Sequence, residues 1–121
     1  MSIKPSFVPN QHSAKQGEIW LTKFHPGTGS ELAKYRPALI IRTLNDIDNR
    51  FTLIAPLTNS KKRNEFEVQI SHPKLESSST VLTWYLWSID VRRLQHKIGT
   101  VNEKDLKKIA AALKKLQLNS L

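Results

Sequence analysis

The stretch RPALIIRTLNDIDNRFTLIAPLTNS, Arg36 to Ser60, decides the fold. Its flanks, Arg36 to Leu44 and Arg50 to Thr58, are rich in Ile, Leu, Phe and Thr, side chains that fit a pleated, half-buried surface. Between them, Asn45 to Asn49 supplies the Asn and Asp that hydrogen-bond their own backbone in turns. The stretch therefore reads as a β-hairpin. A register symmetric about Ile47 sets Arg42 opposite Thr52, Ile40 opposite Ile54 and Arg36 opposite Thr58. Cross-strand partners share a face, so a permanent cation and a hydroxyl stand side by side at the hairpin's open end. That pair outlines a phosphate site; a solvated edge charge beside an ordinary strand threonine is the other reading of the same two residues.

Around the hairpin there are 121 residues, 39% of them apolar, enough for one compact domain and too few for two cores. The net charge of +9 implies a strong positive field and an anionic partner. Nucleic acid is the commonest such partner, and a membrane surface or an acidic protein segment answers the same field. The absence of cysteine removes disulfide frameworks and thiolate chemistry and permits a reducing compartment. No apolar run approaches the roughly 18 residues of a membrane span, and the N-terminus lacks the apolar core of a secretory signal. The expectation is a cytoplasmic protein.

Residues 1–16, with Pro5 and Pro9 and no apolar period, read as an extended N-terminal arm, and the domain runs from 17 to 121. Gly17 introduces a first strand, EIWLTKF. HPGTGSELAKY, His25 to Tyr35, is a loop. Its GTG lacks the later Gly, Lys and Ser/Thr of a phosphate-cradling P-loop, but a polar loop delivered directly to Arg36 suits covering a bound ligand. Beyond the hairpin, EFEVQI (Glu65 to Ile70) alternates with Phe66, Val68 and Ile70 on one face and reads as a strand on the core. TVLTWYLWSID, Thr80 to Asp90, reads as one further strand, apolar or aromatic on both faces, so neither face is expected to meet solvent. One face fills the core; the other enters a subunit interface or an RNA surface where rings stack on unpaired bases. Asp90 to Gly99 reads as a short turn or 3₁₀ segment, with the Asp90 carboxylate capping the amides that follow. Asn102 to Leu116 is an amphipathic helix with an apolar stripe of Leu106, Ile109, Leu113 and Leu116. Asn102 with Asp105, or Thr100 with Glu103, caps it. The class is mainly β with a C-terminal helix. No second helix completes a helix-turn-helix, and no Asp, Glu and His cluster has metal-ligand spacing.

GEIWLTKFHPGTGSELAKYRPALII, then APLTNSKK, then SIDVRRL, resembles the MazF/PemK (Kid) family of toxin endoribonucleases from Gly17 to about Leu116. The motifs are the opening at Gly17 to Trp20, G-S-E at Gly29 to Glu31, R-P at Arg36 and Pro37, T-N-S-K at Thr58 to Lys61, and Ser88 to Leu94, all in family order. The resemblance implies an SH3-like small β-barrel of the MazF/PemK/CcdB toxin type. It also implies a homodimer that cuts single-stranded RNA, mRNA above all, at a short specific sequence by 2′-hydroxyl transesterification, with no metal and no cofactor. A cognate antitoxin of the MazE/PemI kind is the implied inhibitor. The family's catalytic arginine and threonine carry over as Arg36 and Thr58, and Glu31 as a helper that accepts a proton or steers Arg36. Ser30 and Lys34, with Ser60, Lys61, Lys62 and Arg63, are assigned to RNA contact. The chain departs from the family at Trp84, Tyr85 and Trp87, where members often carry an acid or an arginine; no carboxylate base is available there. A non-catalytic nucleic-acid-binding or DNA gyrase-poisoning toxin on the same fold is the alternative.

Overall fold

The computed structural model describes residues 14–24, 35–76 and 79–117. The Arg36–Ser60 stretch forms the expected hairpin, with β2 (Tyr35–Thr43) antiparallel to β3 (Phe51–Thr58). Ala38 faces Pro56, Leu39 faces Ala55 and Ile40 faces Ile54, the register symmetric about Ile47. Nearer the turn the register slips, so Arg42 lies opposite Leu53 rather than Thr52. The cause is a β-bulge at Ile41, which sets one extra residue of β2 against β3. The turn itself is tied by Ile47 N–H and Asp48 N–H donating to the Leu44 carbonyl at 2.9 and 2.7 Å.

The two-residue period of β2 and β3 splits their side chains between two apolar clusters. Leu39, Ala55 and Leu57 join Ile19, Val68, Val81, Ile109 and Ala112. Ala38, Ile40 and Ile54 join Trp20, Phe24, Ile89 and Leu94, with Trp87 packed alongside. The remaining elements are β1 (Glu18–Lys23), β4 (Glu67–Gln69), β5 (Thr80–Leu82), β6 (Trp87–Asp90), a 3₁₀ turn at Val91–Arg93, β7 (Leu94–Thr100) and α1 (Glu103–Lys115). The sheet runs β4-β5-β3-β2-β1-β7, with β6 also paired to β3. This antiparallel sheet with one C-terminal helix is the mainly β class expected.

β3 is the pivot. On the edge away from β2 it pairs first with β6, Phe51–Ile54 against Asp90–Trp87, and then with β5 through Leu57 and Thr58. Pro56, which has no N–H to give a ladder, sits at the changeover. Thr80 to Asp90 is therefore two short strands joined by a turn at Thr83–Leu86, not one strand, and that turn leaves Trp84 44% and Leu86 42% exposed. A second departure is β7: only Val91–Arg93 is 3₁₀, and the residues after it form a strand pairing with β1. β7 ends the sheet, and an edge strand carrying exposed Gln95, His96 and Lys97 shows no apolar alternation to read.

Gly17 ties the domain's start to its middle, donating to the Ile40 carbonyl and accepting from Val101 N–H, each at 2.9 Å. It does so at φ +87°, a conformation that favours glycine. Ala14 is already buried in the second cluster; most of the expected arm, residues 1–13, lies outside the described residues. On α1, the Asn102 side chain caps by accepting from Asp105 N–H at 2.7 Å, which selects Asn102 over Thr100. Ile109 and Ala112 pack on the first cluster. Among the described residues no helix is long and apolar enough to cross a membrane.

Candidate active site

Arg36 is the second residue of β2, half-buried and opposite Thr22 of β1. Its Nη1 donates to the Leu57 carbonyl at 3.0 Å, so the guanidinium crosses to β3 beside Thr58. Thr58 ends β3, and the β2–β3 register carried on from Ala38–Pro56 brings it level with Arg36. Its hydroxyl accepts from Ser60 N–H at 3.3 Å and lies 3.4 Å from Ser60 Oγ, a hydroxyl turn that starts the chain away from the sheet. The Thr80 hydroxyl donates to the Ser60 carbonyl at 2.7 Å, and Thr80 faces Thr58 across β5. One guanidinium and the hydroxyls of Thr58 and Ser60 thus converge at the hairpin's open end, a donor set matched to phosphate oxygens.

Arg36 and Thr58 alternate with their strand neighbours onto the face of Ala38, Ile40, Ile54 and Pro56. Trp87, opposite Ile54 in β6, belongs to the same cluster. From it an aromatic row runs outward. Phe24 meets Trp87 edge-on at 5.6 Å, Trp87 and Tyr85 are 5.6 Å apart and tilted, and Tyr85 stacks on Trp84 at 5.3 Å and 5°.

Of the residues assigned to RNA contact, Ser60, Lys61, Lys62 and Arg63 follow Thr58 on an exposed segment. Arg63 also has an internal role: its Nη2 pairs with Glu67 Oε2 at 2.8 Å. Ser30, Glu31 and Lys34 lie outside the described residues. Asp90 caps the 3₁₀ turn as expected, accepting from Arg92 N–H at 2.8 Å. His72 is a turn residue whose Nδ1 accepts from Lys74 N–H at 3.1 Å.

Sequence reading missed Glu67, a carboxylate with no exposed surface. It accepts from Arg63 N–H at 2.9 Å, Asn64 Nδ2 at 3.3 Å and Trp84 Nε1 at 2.8 Å, besides the Arg63 guanidinium. Burial pushes its pKa up, but the Arg63 and Trp84 hydrogen bonds and the Arg63 charge outweigh burial and hold it at about 2. Alternation in EFEVQI separates Glu67 from Phe66 and Val68, but only the distant Trp84 indole, in need of an acceptor, marks it as an inward-facing acid.

A family model described as a PemK-like, MazF-like toxin of type II toxin–antitoxin system matches residues 15–117. Among curated relatives, the endoribonuclease EndoA of Bacillus subtilis is 29% identical over 106 residues, covering 82% of this chain and 90% of the relative. The endoribonuclease MazF of Staphylococcus saprophyticus is 27% identical over 106 residues, covering 82% and 87%. The crystal structure of MazF from Deinococcus radiodurans superposes with a TM-score of 0.70 at 24% identity, covering 85% of this chain and 94% of that one. A MazE–MazF crystal structure from the same organism gives a TM-score of 0.63 at 25% identity, covering 85% and 93%.

Proposed function

The chain belongs to the PemK-like, MazF-like toxin family of type II toxin–antitoxin systems, and from that premise we propose that it cuts single-stranded RNA at the Arg36–Thr58 corner. It is a toxin endoribonuclease, the activity for which its relatives are named. The observation that carries the assignment of the site is the Arg36 guanidinium held on the Leu57 carbonyl at 3.0 Å, which fixes a permanent cation beside the Thr58 hydroxyl.

The chemistry is a transesterification. The ribose 2′-oxygen attacks the adjacent phosphorus, an O2′–P bond forms and the P–O5′ bond breaks. The products are a 2′,3′-cyclic phosphate and a 5′-hydroxyl; the 2′-hydroxyl proton passes to a base and the 5′-oxygen receives one from an acid. Arg36 supplies neither proton, because a guanidinium stays charged. It stabilises charge on the phosphoryl oxygens as that charge develops, where a preset planar donor contributes most. Thr58 does not titrate near neutral pH, so its hydroxyl orients either the 2′-hydroxyl or a phosphoryl oxygen. Glu31 of the G-S-E motif is the carboxylate proposed to take the proton or steer Arg36. Lys61, Lys62 and Ser60 grip flanking phosphates, with Ser30 and Lys34 joining them.

The partner is a cognate antitoxin, as in the MazE–MazF structure from Deinococcus radiodurans. An acidic antitoxin segment suits a toxin of net charge +9 and competes with RNA for the same cations. We assign the working form as a homodimer and its location as the cytoplasm, where RNA is available to cut.

The test is purified protein with a mixed-sequence RNA in EDTA, beside Arg36→Ala and Thr58→Ala. Cleavage that survives EDTA and is lost in both folded variants supports the assignment. A folded wild type that cuts no RNA overturns it and leaves gyrase inhibition as the activity to assay.

A further inference from the structure

We propose that Trp84 and Tyr85 form a prearranged stacking shelf for an unpaired base of the RNA, flanking the cut site on the face that carries Arg36 and Thr58. The proposal rests on the endoribonuclease reading. Trp84 is the most exposed tryptophan of the aromatic row, at 44%, and its ring lies within 5° of parallel to Tyr85. Its indole N–H is committed to Glu67 Oε2 at 2.8 Å, so what it offers a ligand is a π-face.

The shelf is fixed before anything binds. Glu67 is fully buried and gripped by Arg63 and Asn64, so the acceptor that orients the indole does not move independently. The turn beneath is held by Tyr85 N–H donating to the Leu82 carbonyl at 3.0 Å, and by the Thr83 hydroxyl donating to the Phe66 carbonyl. Trp87 and Phe24 back Tyr85 from the core side. A preset aromatic pair loses little rotamer freedom when a base stacks on it.

Its placement matches a strand leaving the active site. Trp87 faces Ile54 in the ladder, four positions before Thr58 on the same face, or roughly 13 Å at ~3.3 Å per residue. From Trp87 the row turns toward β5 and β4, where Trp84 meets Glu67 opposite Leu82, two strands over from Thr58, so the shelf lies beside the corner and meets a neighbouring nucleotide and not the scissile phosphate. Arg63 physically joins the two parts: it closes the basic segment Lys61–Arg63 that follows Thr58, and it holds the carboxylate that orients Trp84. Cations along the backbone with aromatic faces for the bases is the combination single-strand binders use. Every base has a π-face, so the shelf adds affinity and placement with little base preference.

The test is binding of the full chain to a labelled single-stranded oligonucleotide of mixed sequence with 2′-fluoro riboses, which cannot undergo attack by a 2′-hydroxyl. Trp84→Ala and Trp84→Leu, the second of which keeps bulk without a π-face, should each weaken binding about ten- to hundred-fold, while Trp84→Phe stays within about three-fold of wild type. Native tryptophan fluorescence should be quenched by the oligonucleotide in wild type and much less in Trp84→Phe. Unchanged affinity in folded Trp84→Leu, with wild type still cutting RNA, overturns the shelf alone. Loss of self-association or of antitoxin binding in Trp84→Leu with oligonucleotide affinity unchanged overturns it in favour of a protein interface. Wild type that neither binds the oligonucleotide nor cuts RNA overturns the endoribonuclease reading and the shelf with it.

Discussion

Arg36 donates to the carbonyl oxygen of Leu57 at 3.0 Å, so the residue just before Thr58 holds the cation that stands beside the Thr58 hydroxyl. The contact joins the open ends of two strands whose other ends are closed by the turn. It makes the geometry of the corner a property of the whole hairpin.

The role proposed for Arg36 relies on its planar fork, so its loss should reduce cleavage by about 10²–10³-fold, the range for removing a preset donor at a developing oxyanion. Arg36→Lys should recover little of that, because an ammonium cannot hold the Leu57 carbonyl and a phosphoryl oxygen in the same plane. Single-turnover cleavage rates, with circular dichroism to confirm folding, check both variants.

The role proposed for Thr58 relies on its hydroxyl, so Thr58→Ser should keep most activity and Thr58→Val, which has the same shape without the donor, should lose on the order of 10²-fold. The same assay under saturating RNA separates this from weaker binding. A fall in KM affinity with kcat unchanged would assign Thr58 to substrate grip.

The hairpin was legible because alternation in Arg36–Leu44 and Arg50–Thr58 is local, and the turn residues set the register. The bulge at Ile41 disturbed only the turn end, so Ala38 still faces Pro56 toward the open end while Arg42 slipped to Leu53. What was not legible depends on distant partners. Trp84 and Leu86 look like core residues within Thr80–Asp90 until Pro56, in another strand, marks the place where β3 changes neighbours. β7 is polar because it is an edge. Glu67 is held by Trp84, 17 residues on, as well as by nearby Arg63 and Asn64.

Glu67 should make stability depend on pH in a defined window. Its carboxyl titrates at about 2 in the folded chain against an ordinary value of 4.5. Between those values the unfolded chain binds more protons than the folded one, so stability rises with pH there. The contribution is fully present above pH 4.5 and is lost as pH falls toward 2. Glu67→Gln should lower stability at neutral pH by about 2 kcal/mol, the range for a hydrogen bond to a charged group, and flatten that window. Urea unfolding from acid to neutral pH measures both.

Gly99 is required by a close approach. A Cβ there would lie 2.3 Å from His72 Nε2 and 2.6 Å from its Cε1, while His72 Nδ1 is engaged by Lys74 N–H at 3.1 Å. Gly99→Ala should therefore cost about 1–3 kcal/mol, as overpacking does. His72→Ala should relieve most of it in the double variant, a non-additivity that thermal or urea unfolding resolves.

The role proposed for Lys61 and Lys62 is phosphate grip without base reading, so each should contribute to the salt dependence of RNA binding and not to its sequence preference. Replacing either with Ala should reduce the slope of log K against log salt by about 0.7, the single-strand value per phosphate contact. Titrations across a salt series with two unrelated RNA sequences check the slope and its independence of sequence.

On the proposed mechanism this hairpin end cuts RNA through the substrate's own 2′-hydroxyl. The direct measurement compares an RNA oligonucleotide that the protein cleaves with the same oligonucleotide carrying one 2′-deoxy residue immediately 5′ of the cut, both in EDTA, with the product ends identified by mass. The first should yield a 2′,3′-cyclic phosphate and a 5′-hydroxyl, and the second should show no cleavage at that position. Cleavage of the deoxy-substituted strand at the same bond, or a 5′-phosphate product, would contradict that mechanism.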